Sequence, residues 1–595
     1  MIVKMKKVTL LVSAKRSNLA VAELRQLGTM HIKHMRTPQA GYITSIEHKL
    51  LRLNRALAII NNSKGDKRAS GEPLGPWKLI SKKAKEIGNL GKKKQQLIKR
   101  LDELRKSSIW FKEWGDVFKG SIEDLRQKGI FIKLHICSSS FLKTIPESKV
   151  VYVIQRKGGI VYIVHIATNE EDSLGLPQIE VPQENLQSLN RKINTINVKL
   201  EEIDRGLLEL SIHKNCFFHY REKFLKKLEF CQVRFGMLSQ EGVCCLQGFC
   251  PQNSVSQIAK SASSQGWATI FEEPDNPDEV PTLIRNPRWV EIIRPVFKFM
   301  GTLPGYKEFD ISFWFLIFFS LFFAMLIGDA GYGLILLAVT FFVRKKFKLA
   351  PKQPFFLMYL LSSATIVWGA ITGTWFGFEK IGQLPILNSL VINEINSFVS
   401  SNQLYMIYLC FVIGAIHLTI AHGIIAFRFL NSLIALAQIG WICIIWAAFF
   451  LAGNLLLNKP LPDFLGILSI LGVLLVVLFS NPQKNILKGI GISLADLPLK
   501  AISSFSDIVS YLRLFAVGYA TVAVATTFNN MAFEAGFNNI ITGIVAALIL
   551  VLGHSLNIIL GLMAVVVHGI RLNMLEFSGH LNMQWSGREY KPFKQ

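Results

Sequence analysis

The second half of the chain holds too few charged residues to fold as a water-soluble domain. Residues 311–595 carry 16 Lys/Arg and 9 Asp/Glu, so about a tenth of these positions are charged. Residues 1–310 carry 50 Lys/Arg and 32 Asp/Glu, about a quarter, as in ordinary soluble domains. The chain is therefore predicted to be a soluble domain (1–300) followed by a membrane domain (301–595). This excludes a purely soluble enzyme, a disordered chain and a secreted disulfide scaffold.

Apolar stretches long enough to cross a bilayer recur through the second half. We predict eight spans, at about 312–327, 331–347, 355–377, 404–427, 434–457, 464–480, 501–529 and 539–577. The first two are counted separately because one helix over 312–343 would be about 48 Å long, against about 30 Å of hydrocarbon. The glycines of Gly328–Gly333 permit a tight reversal between them.

Lysine and arginine are distributed unevenly between the loops that join these spans. With eight spans and a cytoplasmic amino terminus, twelve cations face inside: Arg344, Lys345, Lys346, Lys348, Lys352, Arg428, Lys484, Lys488, Lys500, Arg588, Lys591 and Lys594. Two, Lys380 and Lys459, face outside. Merging the first two spans would reverse this bias, so the positive-inside rule favours eight spans. The amino terminus is not read as a signal peptide, because its short apolar stretch is followed by Lys15 and Arg16.

The soluble half is predicted to be an elongated cytoplasmic domain with two antiparallel coiled-coil arms, at about 44–108 and 184–230. Leucine and isoleucine alternate at spacings of three and four from Leu186 to Leu210, which indicates a heptad helix. The alternative for this second arm is a helix packed in a globular bundle. In the first arm, the breaker Gly71–Pro76 separates two such helices. Strand-like segments between and around the arms predict small α/β lobes.

The soluble half lacks the motifs of common enzymes and of nucleic-acid binding. The nearest string to a phosphate-binding loop, Gly88–Lys92, has the wrong spacing and lies in a heptad helix. Cys244, Cys245 and Cys250 cluster without zinc-ligand spacing, and we expect reduced structural thiols. The net charge of +25 has no nucleic-acid motif beside it, so we expect anionic lipid or an acidic protein as partner. No catalytic residue, metal site or cofactor is predicted.

The last two spans carry polar residues at helical spacing. The first series is Ser503, Ser506, Ser510 and Arg513, and the second is His554, Asn557, Gly561, Ala564, His568 and Arg571. An arginine at mid-bilayer costs at least ~2.5–3.5 kcal/mol, so Arg513 is expected to have a function there. Facing polar series are typical of a hydrated path. The alternative for Arg571 is that it extends to the interface or pairs with Glu576. His417 and His422, five residues apart, are interpreted as structural.

Several strings together resemble one family, the static membrane subunit of V/A-type rotary ATPases, called subunit a or, in prokaryotes, subunit I. They are Pro281–Pro287, Gly305–Asp310, Gly328–Gly333, Asp507–Leu514, Gly553–Asn557 and His568–Phe577, in this order. They cover the whole membrane half, while the soluble half resembles the family in architecture. The chain departs from some members that carry a carboxylate in the last span one turn nearer the outside, since the corresponding neighbourhood here holds Gly561 and no acid.

The resemblance implies a mostly α-helical subunit in a prokaryotic plasma membrane that moves ions past a rotating ring of small subunits, the c-ring. Arg513 would face the ring carboxylates and keep them ionised as each releases its ion. The other implied translocation residues are Asp507, Ser510, His554, Asn557, His568, Arg571 and Glu576, and the structural loop motif is Gly328, Asp329, Gly331 and Gly333. Further implied partners are the peripheral stalk subunits, the central-stalk connecting subunit and the lipid membrane, with no nucleic acid.

Two other classes of protein remain open at this stage. A stand-alone secondary transporter or channel with a regulatory domain predicts broken helices in matching halves, and the one broken pair, at 328–333, has no counterpart later in the chain. A membrane scaffold without transport leaves Arg513 unexplained. The choice between proton and sodium, and between ATP synthesis and hydrolysis, depends on residues of other subunits.

Overall fold

The computed structural model describes residues 1–62, 75–117, 119–146, 148–169, 171–348, 350–482, 485–536 and 539–594. Two elements of the sequence prediction, positions 71–74 of the helix breaker and Lys484, lie outside these ranges. Contacts divide the chain into two compact units. The first unit comprises 1–10, 27–33 and 248–594, and the second comprises 11–26 and 34–247. The predicted boundary near residue 300 stays a prediction.

The amino-terminal half alternates strands and helices. Its strands are β1 (Met5–Ser13), β2 (His31–Lys33), β3 (Phe131–Ser138), β4 (Val150–Lys157), β5 (Ile160–Ala167), β6 (Leu238–Gln240), β7 (Val243–Pro251), β8 (Ala268–Glu272) and β9 (Pro281–Thr282). Its helices are α1 (Ser17–Leu27), α2 (Gly41–Asn62), α3 (Trp77–Trp114), α4 (Lys119–Gln127), α5 (Leu186–Ser211), α6 (Lys214–Phe235), α7 (Val255–Gln265) and α8 (Arg294–Met300). One sheet has the order β2-β7-β1-β8 with β6 on β7, and another has the antiparallel order β3-β5-β4.

Four long helices of the second unit share one apolar core. Its buried members come from α2 (Leu53, Ala56, Leu57, Ile60), α3 (Ile80, Ala84, Ile87), α5 (Ile203, Leu207) and α6 (Cys216, Phe217). Lys94 on α3 also pairs with Asp204 on α5 at 2.5 Å. The 3/4 spacing places these side chains on one face of each helix, which is why they meet. The helices of the two predicted arms therefore pack as a bundle, the alternative considered for the second arm.

The remaining helices are α9 (Ser312–Ile327), α10 (Ala330–Lys346), α11 (Lys352–Thr372), α12 (Glu379–Gly382), α13 (Pro385–Asn388), α14 (Gln403–Arg428), α15 (Ile434–Leu457), α16 (Leu465–Phe479), α17 (Ile486–Ser510), α18 (Leu512–Ala535), α19 (Ile540–Ala564) and α20 (Ser578–His580). Between α19 and α20 lie two π-helical segments, Val565–Gly569 and Leu572–Phe577. A short strand, β10 (Arg588–Glu589), pairs in parallel with β9.

By length and composition, five helical segments of the described chain suit a membrane crossing, and a sixth is added if the bent pair α9–α10 is one span. The pair bends by 117°, so it is not one straight helix. The predicted span 501–529 lies in a longer segment, Leu487–Ala535, interrupted at Tyr511. α16, with 15 residues, is a shorter apolar helix. The count of eight stays a prediction, and the mostly helical membrane half is confirmed.

The linker ahead of the membrane helices pairs with both ends of the chain within the first unit. Val3 N–H donates to Leu283 O at 2.9 Å, and Tyr590 N–H donates to Thr282 O at 3.2 Å.

Cys250, at the end of β7, is fully buried, and burial raises the pKa of its thiol to about 11. A thiol with so high a pKa stays protonated at neutral pH and is inert.

Candidate functional site

The reversal between α9 and α10 is built around one buried carboxylate. Gly328 adopts a positive φ of 68° and ends α9, and Asp329 caps α10. Asp329 accepts from the backbone N–H groups of Gly331 (2.8 Å), Tyr332 (3.2 Å), Phe376 (2.9 Å) and Gly377 (2.9 Å). Four N–H donors satisfy a carboxylate that water does not reach. The side chain ties the reversal to the loop after α11.

Glycines at this reversal allow helices to approach closely. A Cβ atom on Gly333 would lie 2.8 Å from Ile366 Cγ1, and one on Gly331 would lie 2.5 Å from the Phe376 ring. Both distances are shorter than van der Waals contact. α10 therefore packs on α11 and the following loop at a separation that only glycine permits. This geometry fits the structural role expected for Gly328, Asp329, Gly331 and Gly333.

A first group of polar side chains, the neutral cluster, joins α10, α18 and α19; its members are Tyr332, Thr521, Asn529, His554 and Asn557. Asn557 Nδ2 donates to Tyr332 Oη at 3.0 Å and to Thr521 O at 2.8 Å. Tyr332 Oη lies 2.7 Å from His554 Nδ1, and His554 Nε2 lies 3.0 Å from Asn529 Oδ1. Tyr332 therefore donates to Nδ1, and Nε2–H of His554 donates to Asn529. Every contact is made with no formal charge.

A second group, the charged cluster, contains Arg513, Arg571 and Glu576. Arg513 Nη2 donates to Glu576 Oε1 at 2.7 Å, and its Nε donates to Ser510 O at 2.9 Å. Arg571 Nε lies 3.6 Å from the same Glu576 oxygen. The Glu576 side chain is 3% exposed, Arg513 is 24% exposed and Arg571 is 53% exposed. Two guanidinium groups thus share one carboxylate, which leaves one positive charge unmatched within the cluster.

Local irregularities of two helices position this cluster. The interruption at Tyr511 separates Ser510, at the end of α17, from Arg513 on α18. The π-helical segments place residues five apart on one face, which brings Arg571 over Glu576. Ser503 and Ser506 are exposed and Ser510 contributes its carbonyl oxygen to Arg513, so the polar serine series stays a prediction. His568 Nδ1 is buried and has no hydrogen-bond partner among the described residues.

A third group, the histidine cluster, comprises Asp507, His580, His422 and Gln438. His580 Nε2 lies 3.1 Å from Asp507 Oδ2, and His580 Nδ1 lies 2.9 Å from His422 Nε2. His422 Nδ1 lies 2.6 Å from Gln438 Oε1. The sequence interpretation treated His422 as structural and did not predict these contacts with His580 and Gln438. The spacing of His580 could have marked it as a candidate, because it follows Glu576 by four residues and so lies one turn further along the same helix.

His417 has a different environment from His422. Its ring stacks between Phe318, at a centroid distance of 3.8 Å, and Phe577, at 4.2 Å. Its Nδ1 lies 2.8 Å from Tyr511 Oη. These contacts fit the structural role expected for His417. The sequence analysis also did not single out Asn529 and Thr521, whose partners come from distant parts of the chain.

A small cavity lies beside α18, on the same side of Arg513 as the loop that precedes α14. Its volume is about 30 Å³, and it is lined by Met325, Trp368, Asn396, Asn402, Gln403, Leu514, Gly518 and Tyr519, among others. Gln403 Nε2 donates to Tyr519 Oη at 2.8 Å at its wall. The volume is close to that of one water molecule. Among its polar lining residues, Asn396, Ser397 and Asn402 come from the loop before α14, which the charge distribution predicts to lie outside.

The apolar helices and the charged cluster are typical of a membrane protein that handles ions, and the chain is similar to several known membrane subunits. V-type ATP synthase subunit I of Borreliella burgdorferi is 33% identical over 630 aligned residues, which cover all of both chains. V-type ATP synthase subunit I 1 of Treponema pallidum is 29% identical over 628, again over all of both. A-type ATP synthase subunit I of Methanocaldococcus jannaschii is 28% identical over 371, which cover 56% of this chain and 52% of that protein.

The chain belongs to the subunit I family of V-type and A-type ATP synthases. It is therefore a membrane subunit of a rotary ATPase, as the resemblance of its motifs predicted. No family model matches the chain. A solved cytoplasmic N-terminal domain of subunit I, homolog of subunit a of V-ATPase, aligns with 45% of this chain and 99% of its own length, at 12% identity. Its TM-score of 0.25 is too low to carry an argument.

Proposed function

We propose that this chain is the static, non-catalytic subunit that carries ions across the membrane beside a rotating c-ring. Its membrane half, with eight spans, provides two offset half-channels, and Arg513 stands between them. Its amino-terminal half lies in the cytoplasm of a prokaryote and anchors the peripheral stalks, near the central-stalk connecting subunit. ATP is bound and hydrolysed or made on other chains of the complex.

The observation that carries the proposal is the positive charge left over in the charged cluster, where Arg513 and Arg571 share Glu576. Two guanidinium groups and one carboxylate sum to +1, and Glu576 is 3% exposed. A guanidinium stays charged at every accessible pH, so this charge cannot be removed by losing a proton. Arg513 is partly buried, and a charged side chain within a membrane span is costly unless a partner supplies the opposite sign. A carboxylate on a neighbouring ring subunit is the partner that fits, and it is favoured in its ionised form.

The two polar clusters then have different roles. The charged cluster holds the passing ring carboxylate ionised and prevents a direct leak between the half-channels. His568, Asp507 and Ser510 stand near it on the predicted cytoplasmic side. His554 and Asn557, in the neutral cluster, lie towards the predicted outer side, where the last span has Gly561 and no acid. The small cavity beside α18 supports an outer path that reaches Leu514.

Replacing Arg513 by lysine tests the role of the guanidinium. Arg513→Lys keeps a cation, but an ammonium is a more strongly hydrated point charge and can lose its proton when desolvated. We expect ATP-driven ion uptake by assembled complexes in vesicles to be abolished or severely impaired. Arg571→Ala is the control, because that side chain is 53% exposed and its loss should do less harm. Normal uptake by Arg513→Lys would contradict the proposal.

Stalk anchoring is tested on α5. Ile193 and Leu200 lie seven residues apart on one face and are half-buried. Polar substitution of both, Ile193→Asn with Leu200→Asn, should reduce the amount of peripheral stalk subunits that co-purify with the complex and lower coupled transport. Thr195→Asn, at an exposed position of the same helix, is the matched control. A full complement of stalk subunits with the double variant would show that this face does not serve docking.

A further inference from the structure

A second cavity lies within the first unit, where the linker approaches the first membrane helix, α9. Its volume is about 280 Å³, near the lower end of the range for small-molecule sites. Three segments far apart in the sequence form its walls: linker residues 282–290, α8 with the residues on either side of it, and residues 587–590 near the end of the chain. Ser312, the first residue of α9, also lines it. Among the described residues of its lining, none belongs to the three polar clusters.

Two threonine hydroxyl groups in the wall of this cavity are unpaired. Thr282 is 2% exposed and Thr302 is half-buried, and neither Oγ1 atom has a hydrogen-bond partner among the described residues. A buried hydroxyl without a partner costs free energy, so such groups are normally paired. Because a threonine hydroxyl has a proton to donate, both groups fit a ligand that brings acceptor oxygens.

The charged side chains of the wall leave a cation available for such a ligand. Glu291 pairs with Arg294 at 3.3 Å, and Glu589 pairs with Lys591 at 3.5 Å, so each lining carboxylate already has a cation beside it. Lys298, one turn after Arg294 on α8, lines the cavity and forms no ion pair in the part of the chain that the structure describes. A phosphate group, which carries negative charge and several acceptor oxygens, matches this lysine together with the two hydroxyls.

The surroundings of the cavity are those of a membrane surface. Trp289, Phe299 and Phe313 are 56%, 76% and 36% exposed. Trp289 meets Phe313, the second residue of α9, edge-on at a centroid distance of 5.5 Å. Tryptophan is enriched at the boundary between bilayer and water, and cations just outside a membrane helix attract anionic lipid headgroups. The stretch before α9 carries five exposed cations: Arg285, Arg288, Arg294, Lys298 and Lys307.

We propose that this cavity binds the phosphate headgroup of an anionic phospholipid, on the side of the membrane predicted to be cytoplasmic. The phosphate accepts hydrogen bonds from Lys298, Thr282 and Thr302, and the acyl chains lie beside α9. The net charge of the chain predicted anionic lipid or an acidic protein as a partner. The size of the cavity and the exposed aromatic side chains at the start of a membrane helix favour the lipid. The bound headgroup joins the three wall segments at the point where the chain enters the membrane.

Hydrogen exchange of the assembled complex in detergent tests this site. The complex is first depleted of lipid, as checked by its phosphorus content, and phosphatidylglycerol is then titrated into the micelles. We expect backbone exchange at 282–303 and 587–590 to slow as this lipid is added, because a bound ligand suppresses local opening. Phosphatidylcholine, which has no net charge, and inorganic phosphate at the same concentration are the comparison probes. Neither should protect these segments, since the first lacks the charge and the second is not held beside the cavity by a micelle.

Three variants locate the binding. Lys298→Gln removes the lining cation, and we expect the phosphatidylglycerol concentration for half-maximal protection to rise about tenfold, the scale of one hydrogen bond to a charged group. Thr282→Val keeps the shape of the side chain and deletes the hydroxyl. It should weaken the lipid effect without faster exchange in the absence of lipid, because the hydroxyl has no partner among the described residues to lose. Arg288→Gln, an equal charge change at an exposed position outside the lining, is the matched control and should keep the wild-type midpoint.

Several outcomes would overturn the lipid site. Equal shifts for Lys298→Gln and Arg288→Gln would show diffuse attraction to the surface instead of binding in the cavity. Equal protection by phosphatidylcholine would exclude selection of an anionic headgroup, and equal protection by inorganic phosphate would exclude the lipid as the source of the phosphate. Wall segments that are protected without lipid and unchanged by it would mean that a protein partner covers the cavity. The site requires only that the chain is a membrane subunit, so each of these results leaves the proposed role of Arg513 standing.

Discussion

The neutral cluster and the charged cluster share two long helical segments, Leu487–Ala535 and Ile540–His580, yet their polar groups are paired in different ways. In the neutral cluster, each donor meets an acceptor: Asn557 donates to Tyr332 and Thr521, and His554 contacts Tyr332 and Asn529. In the charged cluster, two cations share Glu576 and a positive charge is left over. A network in which every polar group is paired holds helices together, whereas a network with a surplus positive charge requires a partner of opposite charge. We therefore attribute helix packing to the first cluster and, under the proposed function, ion handling to the second.

Removing Glu576 should give the largest loss of stability, because it leaves the partly buried Arg513 without its counter-charge. We expect Glu576→Ala to destabilise the membrane half by about 3–5 kcal/mol, the usual cost of breaking a buried pair from one side. The measurement is the thermal unfolding of the purified complex in detergent. Glu534→Ala, at an exposed position of α18, is the control. Equal stability of the two variants would mean that Glu576 does not balance the arginines.

Asn557 tests the neutral cluster in the same assay. Asn557→Leu removes the hydrogen bonds to Tyr332 and Thr521 and places an apolar side chain among polar partners. Hydrogen bonds between membrane helices contribute modestly, so we expect a loss of about 1–2 kcal/mol. A loss as large as that of Glu576→Ala would remove the distinction between the clusters.

Tyr332→Phe is a smaller change to the neutral cluster. It deletes one hydroxyl that accepts from Asn557 and donates to His554, while the ring keeps its place beside Phe376. We expect a loss of about 0.5–1.5 kcal/mol. Uptake of ions should continue, since no charge changes. Unfolding data and uptake for this variant and for Asn557→Leu should be collected on the same preparations.

The orientation of the clusters can be checked with almost no change in stability. Single cysteines at Lys345 and Lys591, in a background without other cysteines, should both react from the cytoplasmic side with a membrane-impermeant reagent. These positions are exposed, so surface substitution should cost within about 0.5 kcal/mol. Labelling of position 345 from outside intact cells would contradict eight spans and would exchange the inner and outer sides of the two clusters.

Sequence patterns predicted the elements better than the contacts between them. The heptads of α5, the apolar helices and the isolated Arg513 all follow from local residue types, whose spacing and hydropathy are visible in the chain. The pairing of Arg513 with Glu576 joins residues 63 apart, and the contact of His422 with His580 joins residues 158 apart. The π-helical turns and the interruption at Tyr511 also change the spacing that a regular helix would give. Such contacts and irregularities depend on tertiary packing, which local spacing does not encode.

The central claim is that Arg513, in a cluster with one positive charge left over, couples ion movement to ATP turnover. The direct measurement is the ratio of ions taken up to ATP hydrolysed by assembled Arg513→Ala complexes in vesicles, beside Thr527→Ala, an exposed change on the same helix. We predict a ratio near zero for Arg513→Ala, continued hydrolysis by the nucleotide-binding sector once it is detached, and an unchanged ratio for Thr527→Ala. A near-normal ratio in a correctly assembled Arg513→Ala complex would show that this arginine is structural and would contradict the account.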